Sequence, residues 1–209
     1  MSNDPDWYAP PKAAVQAPAT PAQQGEVDYA TFGVRAGARV IDVFAVMGLG
    51  FVGGVVGSLL MVALAAAGVV PADWQQRSQG LSLSALALGL VSSLLYHAVS
   101  EGLGGATIGK AVLGLRVKRE NLATAGVWRG VVRNLGYYID AFFFGLVAYS
   151  VMSKSRTQQR LGDKWAGTVV VRAGGLSAEA SGGGVAVWIV VASFAHIVID
   201  VLSIVIKVL

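Results

Sequence analysis

Cysteine is absent from the 209 residues, so neither disulfides nor thiol chemistry is available to this chain. Histidine is almost absent too, with only His97 and His196. Two such ligands make a poor metal protein, because a site needs at least a third. Charge is thin: 13% of residues are charged and 55% are hydrophobic, against about 25% charged in an ordinary soluble domain. A chain so apolar cannot cover itself with polar surface in water, and lipid is the expected solvent. The opening residues lack a basic stretch followed by an apolar run, the mark of a cleavable signal peptide. The first hydrophobic segment is therefore expected to persist as an anchor. No G-x-S-x-G turn, zinc-protease motif or nucleophile–base–orienter set occurs. The chain is not expected to be an enzyme, and no cofactor, metal or nucleic acid is expected with it.

What is present is a series of long apolar segments. Residues 1–30 precede them, are rich in Pro, Ala and Gln, and read as a disordered tail. The first segment runs from Ile41 to Val70 and carries Gly50, Gly53, Gly54 and Gly57. Gly50–Gly54 and Gly53–Gly57 are small-xxx-small pairs that let a second helix backbone come close. A polar loop, 71–80, leads to the second segment, Leu81 to Ser100. The third runs from Leu135 to Met152. The fourth, Val185 to Ile206 within a unit at 185–209, follows a Gly-rich linker at 173–184.

Charge placement sets the expected orientation. Six basic residues, Lys110, Arg116, Lys118, Arg119, Arg129 and Arg133, lie between 101 and 133, and only Arg77 lies in the 71–80 loop. Lys and Arg gather on the cytoplasmic side, so the basic loop and the N-terminal tail are expected inside. The third segment is flanked by basic residues on both sides, with Lys154, Arg156, Arg160, Lys164 and Arg172 after it. A simple crossing would place that second cluster outside. A segment that enters and returns, or lies in the interface, keeps both clusters inside, and the charges favour that form. Gly136 and Gly145 could supply its break. LRVKR at 115–119 and TVVVRA at 168–173 read as strands that pair beside the membrane. The expected fold is an all-α membrane bundle of three to four hydrophobic segments, the third re-entrant or interfacial, with a small cytoplasmic β pair.

Three stretches carry a more specific signal. RAGARVIDVFAV spans 35–46. GGATIGKAVLGLRVKREN spans 104–121 and is followed by RGVVRN at 129–134. QRLGDKWAGTVVV spans 159–171. In this order they resemble the RDD family of bacterial membrane proteins, over residues 31–172. The resemblance leaves the fourth segment outside. It implies one Arg and two Asp residues as the defining positions, which fall on Arg39, Asp42 and Asp163, with Asp140 the other candidate for the second Asp. It also implies a bacterial cytoplasmic membrane location. Family members are described as transporters of undefined ligands or as membrane adaptors.

Several polar pairs sit where lipid or membrane interface is expected. Arg39 and Asp42 are three apart on one helix face, and form a candidate ion or ligand site toward which Asp163 would fold. A lone Asp in a membrane helix costs about 2.5–3.5 kcal/mol on insertion scales. His196 and Asp200, four apart in the last segment, suit either a proton relay or an interhelical hydrogen bond. His97 and Glu101 repeat that spacing at the cytoplasmic end of the second segment, where structural pairing is expected. GGATIGK at 104–110 satisfies the phosphate-loop pattern, but Ala111 replaces the Ser or Thr that holds magnesium, and a helix precedes it. Nucleotide binding is rejected on those grounds. Lys110, Arg129 and Arg133 are expected to meet lipid phosphate on an inner face that attracts anionic lipid. The functional expectation is transport of an ion or small solute, with proton coupling open and Asp42, Asp140 and Asp200 as the carboxylates to test. So few spans make a thin wall for a pathway, so a homo-oligomer is expected, with the Gly face of the first segment as its interface. The alternative is a non-catalytic adaptor or assembly factor that holds a membrane protein partner.

Overall fold

The computed structural model describes residues 27–80, 83–176 and 184–208. Most of the N-terminal tail and the middle of the Gly-rich linker lie outside the described residues. Helix α1, Phe32–Ala66, has 35 residues, about 52 Å at 1.5 Å per residue. A bilayer's apolar core is about 30 Å thick, so α1 is long enough for its first turns, with Arg35 and Arg39, to stand beyond it. A short helix, α2 (Trp74–Ser78), follows the far end of α1, and α3 (Leu83–Leu103) runs back. Next come α4 (Ile108–Val112), β1 (Leu115–Arg119), α5 (Val127–Phe142), α6 (Leu146–Ser153), α7 (Leu161–Ala166) and β2 (Thr168–Arg172). A 3-10 turn and the linker lead to α8, Val185–Val208. Among the described residues, α1, α3 and α8 are the helices long and apolar enough to cross a membrane singly.

The third hydrophobic segment is broken rather than straight. The chain bends by 114° between α5 and α6. Phe144 and Gly145 lie between them with positive φ of 52° and 79°, a backbone state that ends a helix and suits Gly at the second position. The sheet then fixes where both ends of this segment lie. Strands β1 and β2 pair antiparallel, from Leu115 opposite Arg172 to Arg119 opposite Thr168. Everything between them starts and finishes at one sheet. Helix α7 returns onto the middle of α5 so closely that a Cβ at Gly162 would lie 2.4 Å from the Arg133 carbonyl oxygen. A segment tied at both ends in this way suits a course that enters an apolar layer and comes back. The basic flanks of the segment predicted the same course.

The sheet also collects the ends of the long helices. Tyr29 bridges Val171, the Ala30 N–H donates to the Val170 carbonyl at 2.9 Å, and Ala30 is fully buried. Residues 27–30 are thus sheet edge and not tail as expected, because their backbone donors find β2. The end of α3 reaches the sheet where the Val117 N–H donates to the Gly105 carbonyl. Ala38, Leu115, Val117 and Val170 share a small core there. Helix α8 starts beside Gly104 and ends at the opposite pole, where Val208 packs with Met61, Val70 and Trp74. With α1, α3 and α8 as the crossings, the end of α8 lies on the side of the 71–80 loop.

Helix α8 packs against both α1 and α3. The Gly face of α1 makes this possible. A Cβ at Gly53 would lie 2.8 Å from the Asp200 Cβ, and one at Gly57 would lie 2.5 Å from Ile204 Cδ1. The face expected to join two copies is therefore filled by this chain's own α8. Small residues admit whichever helix is nearest, and spacing alone does not say which.

Candidate functional site

The charges gather at the sheet end of the bundle, in a buried network built from five elements, α1, α3, α4, α5 and α7. Residues Arg35, Ala38 and Asp42 form the buried face of α1. Asp42 meets the turn into α4. Thr107 Oγ1 donates to Asp42 Oδ2 at 2.7 Å, the Gly109 N–H donates to Oδ1 at 2.7 Å, and Lys110 Nζ lies 3.8 Å away. The phosphate-like loop thus grips a carboxylate of its own chain. Gly109 is required by proximity, since a Cβ there would lie 2.0 Å from the Ala38 carbonyl oxygen. Lys110 continues the network to Glu101 Oε1 at 2.7 Å. Asn134 Nδ2 donates to Glu101 Oε2 at 2.8 Å, and Arg133 Nε lies 3.4 Å from the same oxygen. Arg133 then reaches Asp163 Oδ1 at 3.1 Å. Asp163 is also paired with Arg35 and, at 3.7 Å, with Arg160.

Alternation of sign makes this burial tolerable. An unpaired buried ion costs several kcal/mol, and each carboxylate here faces at least one cation. Burial opposes the charge on Asp163, but Arg35, Arg133 and Arg160 outweigh it and hold its carboxyl well below the ordinary range. Burial pulls the Lys110 ammonium below its usual value, against Glu101 and Asp42, which raise it.

Several expectations change here. Arg39 does not pair with Asp42, and Asp163 turns to Arg35 and not to Arg39. Arg35 lies one turn earlier and on the buried face, whereas Arg39 lies over the Tyr137 ring at 3.6 Å. Glu101 faces Lys110, while His97 Nδ1 bonds the Ser93 carbonyl oxygen at 2.8 Å. Lys110 and Arg133 are buried and engage carboxylates, so they do not face lipid phosphate. Arg129 gives its Nη1 to the Ala166 carbonyl. His196 and Asp200 do approach, at 3.4 Å, and His196 Nδ1 also meets the Ser92 hydroxyl. That cluster joins α8 to α3, and Asp200 faces Gly50 and Gly53 of α1. Arg35, Thr107 and Asn134 were missed. The signal for Arg35 was its seven-residue spacing from Asp42, which places both on one helix face.

Beside the network lies a cavity of about 370 Å³ between α1 and the broken pair α5–α6. Arg35, Arg39, Arg160, Tyr137 and Asp140 line its polar part. Asp140 is buried, yet neither of its oxygens accepts a hydrogen bond among the described residues. Its nearest cation is Arg160, at 3.8 Å. Arg39 Nε is likewise shut from solvent without an acceptor. Among the described residues no group of three or more His, Asp or Glu side chains could hold a metal.

Three apolar helices, a broken segment that returns to its own sheet, and a buried charge network at one end define a polytopic helical membrane protein. The RDD family model matches residues 29–167, and the chain belongs to that family. The match ends before α8. No curated protein and no solved structure matches the chain.

Proposed function

We propose that this membrane protein transports a small charged solute through the cavity between α1 and α5–α6, with Asp140 as its proton-carrying group. One observation carries the reading: Asp140 is a buried carboxylate without a hydrogen bond among the described residues, placed just before a helix break. Non-helical backbone at membrane depth is tolerated where it lines protein or a cavity, and ionisable groups beside such breaks serve ion and substrate sites. Asp42 and Asp163 are the contrast, since Asp42 accepts a hydrogen bond on each oxygen and Asp163 stands among three guanidiniums. In this reading the sheet end faces the cytoplasm of a bacterial cell, because the Lys and Arg residues crowd there. Three crossings cannot enclose a path, so the working form is a homo-oligomer. The adaptor reading is favoured by the N-terminal tail and the appended fourth segment, and the structure bears on the second of these alone. Gly-face and Ser92 contacts engage that segment, α8, within the chain.

The test is flux into liposomes holding the purified protein, read with pH-, cation- and anion-sensitive dyes. Expected is flux in the parent and at least a tenfold loss in Asp140→Asn, with the fold retained. No flux of protons or ions under any imposed gradient would sink transport. Co-purification of a stoichiometric membrane protein partner would then favour the adaptor.

A further inference from the structure

The same cavity states what kind of solute it suits, and this inference rests on taking it as the solute site. Its charged lining is three guanidiniums against one carboxylate. Arg35 is engaged by Asp163, and Arg160 is shared between Asp163 and Asp140. Arg39 is left over. Among the described residues no carboxylate pairs with it, its face rests on Tyr137, and its Nε has no acceptor. A small inorganic cation would meet repulsion here. An anion would find a planar donor fork of the kind that binds carboxylate and phosphate.

The rest of the cavity is apolar. Val40 and Val43 continue from Arg39 along α1 away from the sheet end, and Phe144 and Met152 face them from the broken pair. A hydrophilic anion would leave this part empty. Phe144 is 95% exposed at the tip of the break, so the apolar part opens toward lipid.

We propose that the cavity binds an anionic amphiphile, with a carboxylate or phosphate head on Arg39 and a single aliphatic chain along Val40, Val43 and Phe144. This moves the lipid-phosphate contact expected at Lys110 and Arg133, which are buried against carboxylates, to a cation that has none.

Native mass spectrometry of the full chain, released from nanodiscs of mixed phosphatidylglycerol and phosphatidylcholine, tests it. Expected is retention of one phosphatidylglycerol per chain in preference to phosphatidylcholine, reduced at least tenfold by Arg39→Gln. Val43→Trp fills the apolar part without changing charge and should reduce retention equally, which mere surface attraction would not do. In a second arm, decanoate added to protein in phosphatidylcholine nanodiscs should bind, while acetate and decyltrimethylammonium should not. Retention of phosphatidylglycerol without decanoate binding identifies a membrane lipid as the source of the head and chain. Decanoate binding without lipid retention identifies a free amphiphile. Equal retention of both lipids together with no decanoate binding, or no effect of either variant on folded protein, overturns the proposal. Binding without flux keeps it and removes transport. Flux with no such binding does the reverse.

Discussion

Asp163 and Asp140 both face Arg160, yet they sit in opposite circumstances. Asp163 has three guanidiniums around it and accepts the Arg160 backbone N–H at 3.1 Å. Asp140 has one cation at 3.8 Å and no hydrogen bond among the described residues. The first lies in the matched network under the sheet, the second at the wall of the cavity. Removing one member of a buried, matched set strands its partners, whereas removing a group that is already unmatched strands little. The contrast separates residues that hold the fold from residues available for chemistry.

The comparison depends first on the third segment returning to the network's side, and that test is all-or-none. Because the chain has no cysteine, single replacements can be labelled cleanly in sealed vesicles. Ser153→Cys and Asn121→Cys should react from one face and Gln79→Cys from the other. Reaction of Ser153→Cys on the Gln79 face would break the return of α5–α6. Next in size, Asp163→Asn leaves Arg35 and Arg133 buried without their carboxylate and should destabilise the fold by about 3–5 kcal/mol, measured by denaturant unfolding in micelles. Gly109→Ala drives a Cβ to within 2.0 Å of the Ala38 carbonyl and should cost about 1–3 kcal/mol by loosening the grip on Asp42.

A smaller effect follows from pH. The folded Asp163 carboxyl lies below its unfolded value of 3.8. Its stabilisation is therefore complete above about pH 4 and is lost as pH falls toward the folded value. An acid titration of unfolding should show this loss in the parent and less of it in Asp163→Asn. Equal acid sensitivity in both would assign it to other groups.

Much of the architecture was legible in the sequence because hydropathy and charge are carried by whole segments. The apolar runs gave α1, α3 and α8, and basic residues on both flanks of 135–152 anticipated the bend. The alternation in LRVKR gave β1. The network was legible only in part. Asp42 could be singled out as an acid in an apolar run, and Asp163 through the family resemblance, but their partners are set by tertiary contacts. Arg39 and Asp42 do share a helix, yet Asp42 is claimed by Thr107 and Gly109, which no local spacing reveals. The Gly face of α1 was readable as a contact surface, whereas its occupant, α8, was not. Tyr29 and Ala30 looked like tail because two residues of sheet edge carry no periodic pattern.

The central claim, that matched carboxylates hold the fold and Asp140 does not, is tested most directly by unfolding Asp140→Asn beside Asp163→Asn in the same micelles. The account predicts a loss of about 1 kcal/mol or less for Asp140→Asn, the scale of a single weak contact, and a loss several times larger for Asp163→Asn. Equal losses, or a larger one for Asp140→Asn, would contradict it.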